Sequence, residues 1–186
     1  MLLLYLIFSL KMNSVVEAYT DGACKKNPGP GGWGIVLIQN NAEIYHAYGG
    51  EPHTTNNRME ISAILVLLKL LHTKQDKFFE VLKFDKLVIF SDSMLCLQTI
   101  AAKPTATEPY FFKSAECDGW MKKWKLTEYK DKKNVDLWKK VDKHLTKVLE
   151  MYGPSNIGVQ YVKGHSKNFG NDLADKYANE GVVYEL

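Results

Sequence analysis

Four carboxylates lie where oxygen ligands could converge. Asp21 falls near the end of the run Val15–Cys24 (VVEAYTDGAC), and Asp92 directly follows the apolar run Lys86–Ser91 (KLVIFS). Carboxylates just outside the carboxyl ends of sheet strands occupy the crevice where α/β folds bind ligands. Glu60 stands near the first turn of a helical segment, with Ile64, Leu67 and Leu71 at i+4, i+7 and i+11. A carboxylate in such packed surroundings is costly unless it is protonated or neutralised by a cation. Asp175 stands on the last helical segment, beside Asn171 and Asn179. An all-oxygen set of this kind suits Mg²⁺ or Mn²⁺ rather than zinc. Each residue also has a plainer reading. A strand-end Asp can cap the following helix, an acid in a first helical turn is favoured by the macrodipole, and Asp175 alone could face solvent.

The elements that must hold these residues are legible in outline. Residues 15–24 are rich in Val, Tyr and Thr and predict a strand. Residues 25–32 (KKNPGPGG) predict a turn-rich connection, with Pro28 and Pro30 fixing φ. Strands are predicted over 33–39 and 43–49 across an Asn-Asn turn, making an antiparallel meander. A helix is predicted from Thr55 or Asn56, both good N-caps, to about Thr73. A buried strand follows over 86–91 and a helix over 93–102. Residues 103–118 predict irregular chain. Val135, Trp138, Val141, Leu145 and Val148 keep helical spacing over 135–152. A strand over 157–162 and a helix over 171–180 complete the chain. The expected fold is α/β: a mixed five-stranded sheet, antiparallel meander plus parallel strands, flanked by helices.

The 186 residues suit one domain with a full core, here expected over 15–186 after an extension at 1–14. A hydrophobic share of 46% with 24% charged residues excludes a disordered or fibrous chain. Net charge is only +3, but Arg58 is the sole arginine beside 23 lysines. Charge is also unevenly spread: ten lysines oppose four acids between Trp120 and Lys147. Cys24, Cys96 and Cys117 are odd in number and lack CxxC spacing, which argues against a disulfide framework or zinc site. They are read as reduced thiols, implying a cytoplasmic or nuclear, reducing compartment. Leu2–Leu10 is apolar except for Ser9. As a helix it would span about 15 Å, half a hydrocarbon core, so no stable membrane insertion is expected. It also lacks the positive n-region of a signal peptide, and Met12 could serve as an alternative start.

Five motifs then occur in order: YTDGACKKNPGPGGWG at 19–34, TTNNRMEISA at 54–63, VIFSDS at 88–93, NVDLW at 134–138 and VKGHSKNFGNDLADKYANEG at 162–181. Together they resemble the ribonuclease H family, type 1, and span nearly the whole chain from residue 15. The resemblance implies a ribonuclease H-like fold and an endonuclease that cuts the RNA strand of RNA–DNA hybrids. The family's metal-binding carboxylates fall on Asp21, Glu60, Asp92 and Asp175, and its mobile catalytic histidine on His165. Two Mg²⁺ ions, replaceable by Mn²⁺, are implied, with an in-line displacement that leaves 5′-phosphate and 3′-hydroxyl ends. Positions that bind phosphate and read 2′-hydroxyls fall on Asn27, Thr55, Asn56 and the backbone around Cys24. Asn171 matches the asparagine of the final motif.

The family's groove tryptophans fall on Trp120 and Trp138, with Trp124 one helical turn beyond Trp120. The basic segment around Lys122, Lys123 and Lys125 corresponds to the handle that holds the DNA strand. A solvated helix with its aromatics in the core is the plainer reading of that segment, although solvated helices usually mix charges. A monomer bound to a hybrid duplex is expected. The stretch AAKPTATEPYFFKSAEC departs from the pattern and looks inserted. A four-carboxylate 3′→5′ exonuclease and a catalytically inactive hybrid-binding module remain the alternative readings.

Overall fold

The structure, a computed structural model, describes residues 14–183. The apolar stretch Leu2–Leu10, Met12 and most of the predicted extension lie outside the described residues. The family-like motifs all lie inside them.

The meander is formed by β1 (Val15–Cys24), β2 (Gly29–Gln39) and β3 (Ala42–Thr54). β2 begins within the predicted turn and β3 outruns its predicted end. A register shift between Gly29 and Gly31 lets the pairing continue to Gly29↔Thr54. Helix α1 (Asn56–Thr73) follows, capped by Thr55, whose hydroxyl accepts from the Arg58 N–H at 3.3 Å. It stops where Lys74 turns left-handed. A short helix α2 (Lys77–Val81), started by the Asp76 carboxylate cap, has no counterpart in the predicted elements. Five residues are too few to show helical periodicity.

Next come β4 (Lys86–Ser91), α3 (Met94–Ile100), β5 (Tyr110–Phe111), α4 (Trp120–Leu126) and α5 (Val135–Tyr152). The chain closes with β6 (Ile157–Tyr161) and α6 (Phe169–Glu180). The sheet order is β3-β2-β1-β4-β6-β5, with β1, β4 and β6 parallel.

The mixed sheet is as expected, but it has six strands among the described residues rather than five. The sixth, β5, comes from the segment predicted to be irregular. It pairs antiparallel with β6 through Tyr110↔Val159 and Phe111↔Gly158. Gly158 leaves space for the Phe111 ring, and Lys86 Nζ lies 4.5 Å above that ring. A two-residue strand carries no alternation, so only its tertiary partner defines it.

Alternation on the strands decides which helix goes where. Val16, Ala18, Ile35, Leu37, Leu87 and Ile89 face one side and pack with α1, α3 and α5. Tyr19, Val36 and Ile38 face the other and pack with Ala174 and Tyr177 of α6. Gly34 permits the approach of α6, because a side chain there would collide with the backbone at Ala174 and Ala178. No helix among the described residues is long and apolar enough to cross a membrane.

Candidate active site

Parallel pairing creates the centre of the site. Thr20 of β1 is level with Ser91, the last residue of β4, so the residues that follow them, Asp21 and Asp92, stand side by side. The first turns of α1 lie against the end of β1, where Gly22 has no Cβ to collide with the backbone at Met59 and Glu60. That approach delivers Glu60. Ligand atoms of Asp21, Glu60 and Asp92 all lie within 4.8 Å of one another. Asp175 enters from α6 and lines the same cleft, about 330 Å³ in volume, with His165 and Asn171.

Three like charges at this distance, partly removed from water, resist full ionisation. Burial first, and the neighbouring Asp92 second, push the Asp21 carboxyl up to about 7. An N–H donated by Gly22 at 2.7 Å to Asp21 Oδ1 opposes the rise. Burial followed by the charges of Asp21 and Asp92 holds Glu60 well above the usual carboxylate range. Burial also raises Asp92. Asn56 Nδ2 donates to Glu60 Oε1 at 3.3 Å, but Oε2 is buried without any hydrogen-bond partner. An orphaned carboxylate oxygen facing two more carboxylates fits a divalent cation, whose charge would replace the missing donors.

His165 occupies the loop between β6 and α6 in a left-handed conformation, φ 54°. It is exposed, with its charge placed to act on Asp92. Gly164 lies against the Asp92 carboxylate, so a side chain there would meet Asp92 Oδ2 at 2.5 Å and displace it. At the other wall, Asn179 Nδ2 donates to Asp175 Oδ1 at 3.1 Å, and Lys25 Nζ donates to Asn179 Oδ1 at 2.6 Å. Sequence reasoning misses Lys25. The one signal for it is Asn179, which lies one helical turn from Asp175.

The proposed substrate-reading residues gather at the same end of the sheet. Asn27 Oδ1 accepts from the Asn56 N–H at 3.3 Å, joining the Pro-Gly loop to the start of α1. Thr55 spends its hydroxyl on capping. Cys24 lines the cleft, its Sγ 3.6 Å from the carbonyls of Gly29 and Thr54. Asn171 is 3% exposed, and its Oδ1 has no partner.

The basic segment comprises α4 and the irregular return to α5, anchored by buried Met121 and Tyr129. Trp120 is 43% exposed, and Lys122, Lys123 and Lys125 are exposed, although Lys125 Nζ pairs with Asp142 at 2.9 Å. Trp124 is half-buried, with Lys132 Nζ 5.4 Å above its ring. Trp138 does not join this surface. It is 2% exposed in the core and meets Trp124 edge-on at 6.1 Å. The expectation that it lines a groove is therefore corrected: helical spacing places Trp138 on the inward stripe of α5, with Val141 and Leu145, where no nucleic acid reaches it.

The ribonuclease H family model matches residues 13–183. The chain is 41% identical over 174 residues to the ribonuclease H of Hahella chejuensis, covering 92% of this chain and 95% of that one. It is 37% identical over 172 residues to that of Alcanivorax borkumensis, covering 90% and 91%. Among solved structures, ribonuclease H1 of Halobacterium salinarum superposes with a TM-score of 0.53 at 23% identity, over 90% of this chain and 96% of that one. LC11-RNase H1, solved in complex with RNA/DNA hybrid, does so with a TM-score of 0.53 at 18% identity, over 89% and 97%. These two structures share the fold. With the sequence matches spanning almost the whole chain and the acidic cleft assembled at the strand ends, the chain belongs to the ribonuclease H family of metal-dependent endoribonucleases.

Proposed function

We propose that this chain hydrolyses the RNA strand of RNA–DNA hybrids by a two-metal-ion mechanism that leaves 5′-phosphate and 3′-hydroxyl ends. The observation that carries the mechanism is the cluster of Asp21, Glu60 and Asp92 within 4.8 Å, with Glu60 Oε2 buried and unpartnered. Asp21, Glu60, Asp92 and Asp175 are the residues that would hold the ions. Two Mg²⁺ ions, or Mn²⁺ in their place, supply Lewis-acid chemistry when bound, stabilising charge at the scissile phosphate and making the attacking water more acidic.

The chain's own groups do the rest. Asn56 orients Glu60 through one carboxylate oxygen, leaving the other directed into the cluster. The Asn179–Lys25 contact steadies Asp175 from outside. His165, on a loop in reach of Asp92, carries a proton to or from the reacting phosphate or assists product release. Asn27, Asn56, Asn171 and the backbone near Cys24 offer hydrogen-bonding groups suited to 2′-hydroxyls in a minor groove. Thr55 places Asn56 by starting the helix. Trp120, Trp124, Lys122, Lys123 and Lys125 offer aromatic and cationic surface for the DNA strand. The expected working form is a monomer.

The test is incubation with end-labelled RNA–DNA hybrid, RNA–RNA and DNA–DNA duplexes in Mg²⁺, with EDTA controls and end analysis of the products. Internal cleavage of the hybrid's RNA strand alone, abolished by EDTA, is expected. Equal cutting of RNA–RNA, or trimming that a blocked 3′ end prevents, overturns the proposal.

A further inference from the structure

Arg58 lies two residues from Glu60, yet its side chain points away from the carboxylate cluster. Its guanidinium makes a two-pronged contact with Asp136, Nη1 to Oδ1 at 3.1 Å and Nη2 to Oδ2 at 2.9 Å. Nη1 also donates to Asn134 Oδ1 at 3.4 Å. Asn134 immediately precedes α5, is itself left-handed, and gives that helix no side-chain cap. Its carboxamide oxygen is turned to Arg58 instead. The basic segment therefore rejoins α1, the helix that carries Glu60, at Asn134 and Asp136.

Its other footing is on α3, the helix after Asp92. There the Ala102 N–H donates to Asp118 Oδ1 at 3.0 Å, and Gly119 packs against the backbone of Gln98, Thr99 and Ala101. Between the two footings lie α4, which buries Met121, and an irregular return in which Glu128, Tyr129, Asp131 and Asn134 have positive φ and Tyr129 is buried. The contacts Trp124–Trp138 and Lys125–Asp142 join α4 to α5, not to α1. A planar guanidinium fixes both position and orientation of a carboxylate, which an ammonium does not. In a chain with 23 lysines, the single arginine occupies this position.

From this geometry we propose that Arg58 is a positioning residue. Its fork on Asp136 and Asn134 sets the register of the basic handle against the carboxylate cluster, so that a hybrid held by the handle presents its RNA strand to the cleft. The inference rests on the hybrid-cleaving reading above. Asp136 is 56% exposed, so the pair contributes little to global stability, and its effect belongs in substrate engagement.

The experiment compares wild type with Arg58→Ala, Arg58→Lys, Asp136→Asn and the double variant Arg58→Ala/Asp136→Asn. Steady-state cleavage of hybrid is read alongside amide hydrogen exchange over residues 120–134. Arg58→Ala and Asp136→Asn should each raise KM about five- to tenfold with kcat within about twofold, the signature of weakened uniform binding. The double variant should be no worse than either single one, and Arg58→Lys should recover part of the loss. Exchange should quicken in 120–134 and not in β1. Unchanged KM, a loss confined to kcat, additive single effects, or unchanged exchange each overturn the proposal. A wild type inactive on hybrid overturns the functional reading instead, while hydrogen exchange still reports whether Arg58 holds the handle.

Discussion

Replacing Asp21 by Asn removes one charge from the carboxylate cluster, and the structure sets the size of the effect. The Asp21 carboxyl, ordinarily near 3.8, is pushed up to about 7 by burial and by Asp92. A folded-state value above the ordinary one means that the ionised native protein is penalised. The penalty is absent below pH 3.8, grows as pH rises, and is complete above the raised value. At pH 8 without divalent cations it amounts to about 4 kcal/mol, and at pH 5 to about half of that, at roughly 1.4 kcal/mol per pH unit. Asn carries no charge and retains an oxygen for the Gly22 N–H. For a domain of this size each kcal/mol shifts Tm by roughly 2–4 °C. In EDTA the variant should therefore melt ~8–16 °C above wild type at pH 8, but only ~4–8 °C above it at pH 5. Hybrid cleavage should be abolished. Adding Mg²⁺ should raise the wild-type Tm more than the variant's, because only the intact cluster binds it well. The assay is thermal unfolding followed by circular dichroism at both pH values, with and without Mg²⁺. A gain equal at pH 5 and pH 8, or a decrease at pH 8, would refute the assignment of Asp21 to a repulsive cluster.

His165→Ala should lower kcat by about 10–100-fold at neutral pH without eliminating cleavage, as expected of a proton carrier. A defect as complete as that of Asp21→Asn in the same assay would make it a metal ligand. Lys122→Ala with Lys123→Ala should weaken hybrid binding and reduce the log–log salt slope by about 0.9 for each phosphate left without its lysine, with kcat unchanged at saturating substrate. An unchanged slope would move the nucleic acid elsewhere on the surface. At the crossing of α1 and α5, His72 Nδ1 lies 2.9 Å from His144 Nδ1, at hydrogen-bond distance. Burial, then His72, Lys143 and Lys69, depresses His144 below its ordinary 6.5. A histidine depressed in the folded state costs stability as pH falls through 6.5 toward the lowered value, so His144→Gln should narrow the Tm difference between pH 7.5 and pH 5.5. An identical Tm–pH profile in the variant would count against the depression of His144.

Residue type and spacing alone were enough to outline the scaffold. Strand β4 and helix α5 have the bounds that an apolar run and a five-residue hydrophobic stripe predict, because both bury a complete face and periodicity records burial. The motifs likewise marked Asp21, Glu60, Asp92, Asp175 and His165 before any geometry was known, since each belongs to a contiguous string. What required the tertiary structure were relations between distant segments. The closeness of Asp21 and Asp92 follows from the parallel register Thr20↔Ser91, which joins residues 71 positions apart. Trp120 and Trp138 are alike as residue types, and only packing shows one exposed and the other enclosed. The strand Tyr110–Phe111 exists because β6 offers it an edge and Gly158 offers it space. Arg58 shows no sign in its own neighbourhood that its partner is Asp136, 78 residues on. Local sequence records which side of an element is buried, whereas hydrogen-bond partners and charge neighbours depend on where the chain returns, and that is decided by the packing of the whole sheet.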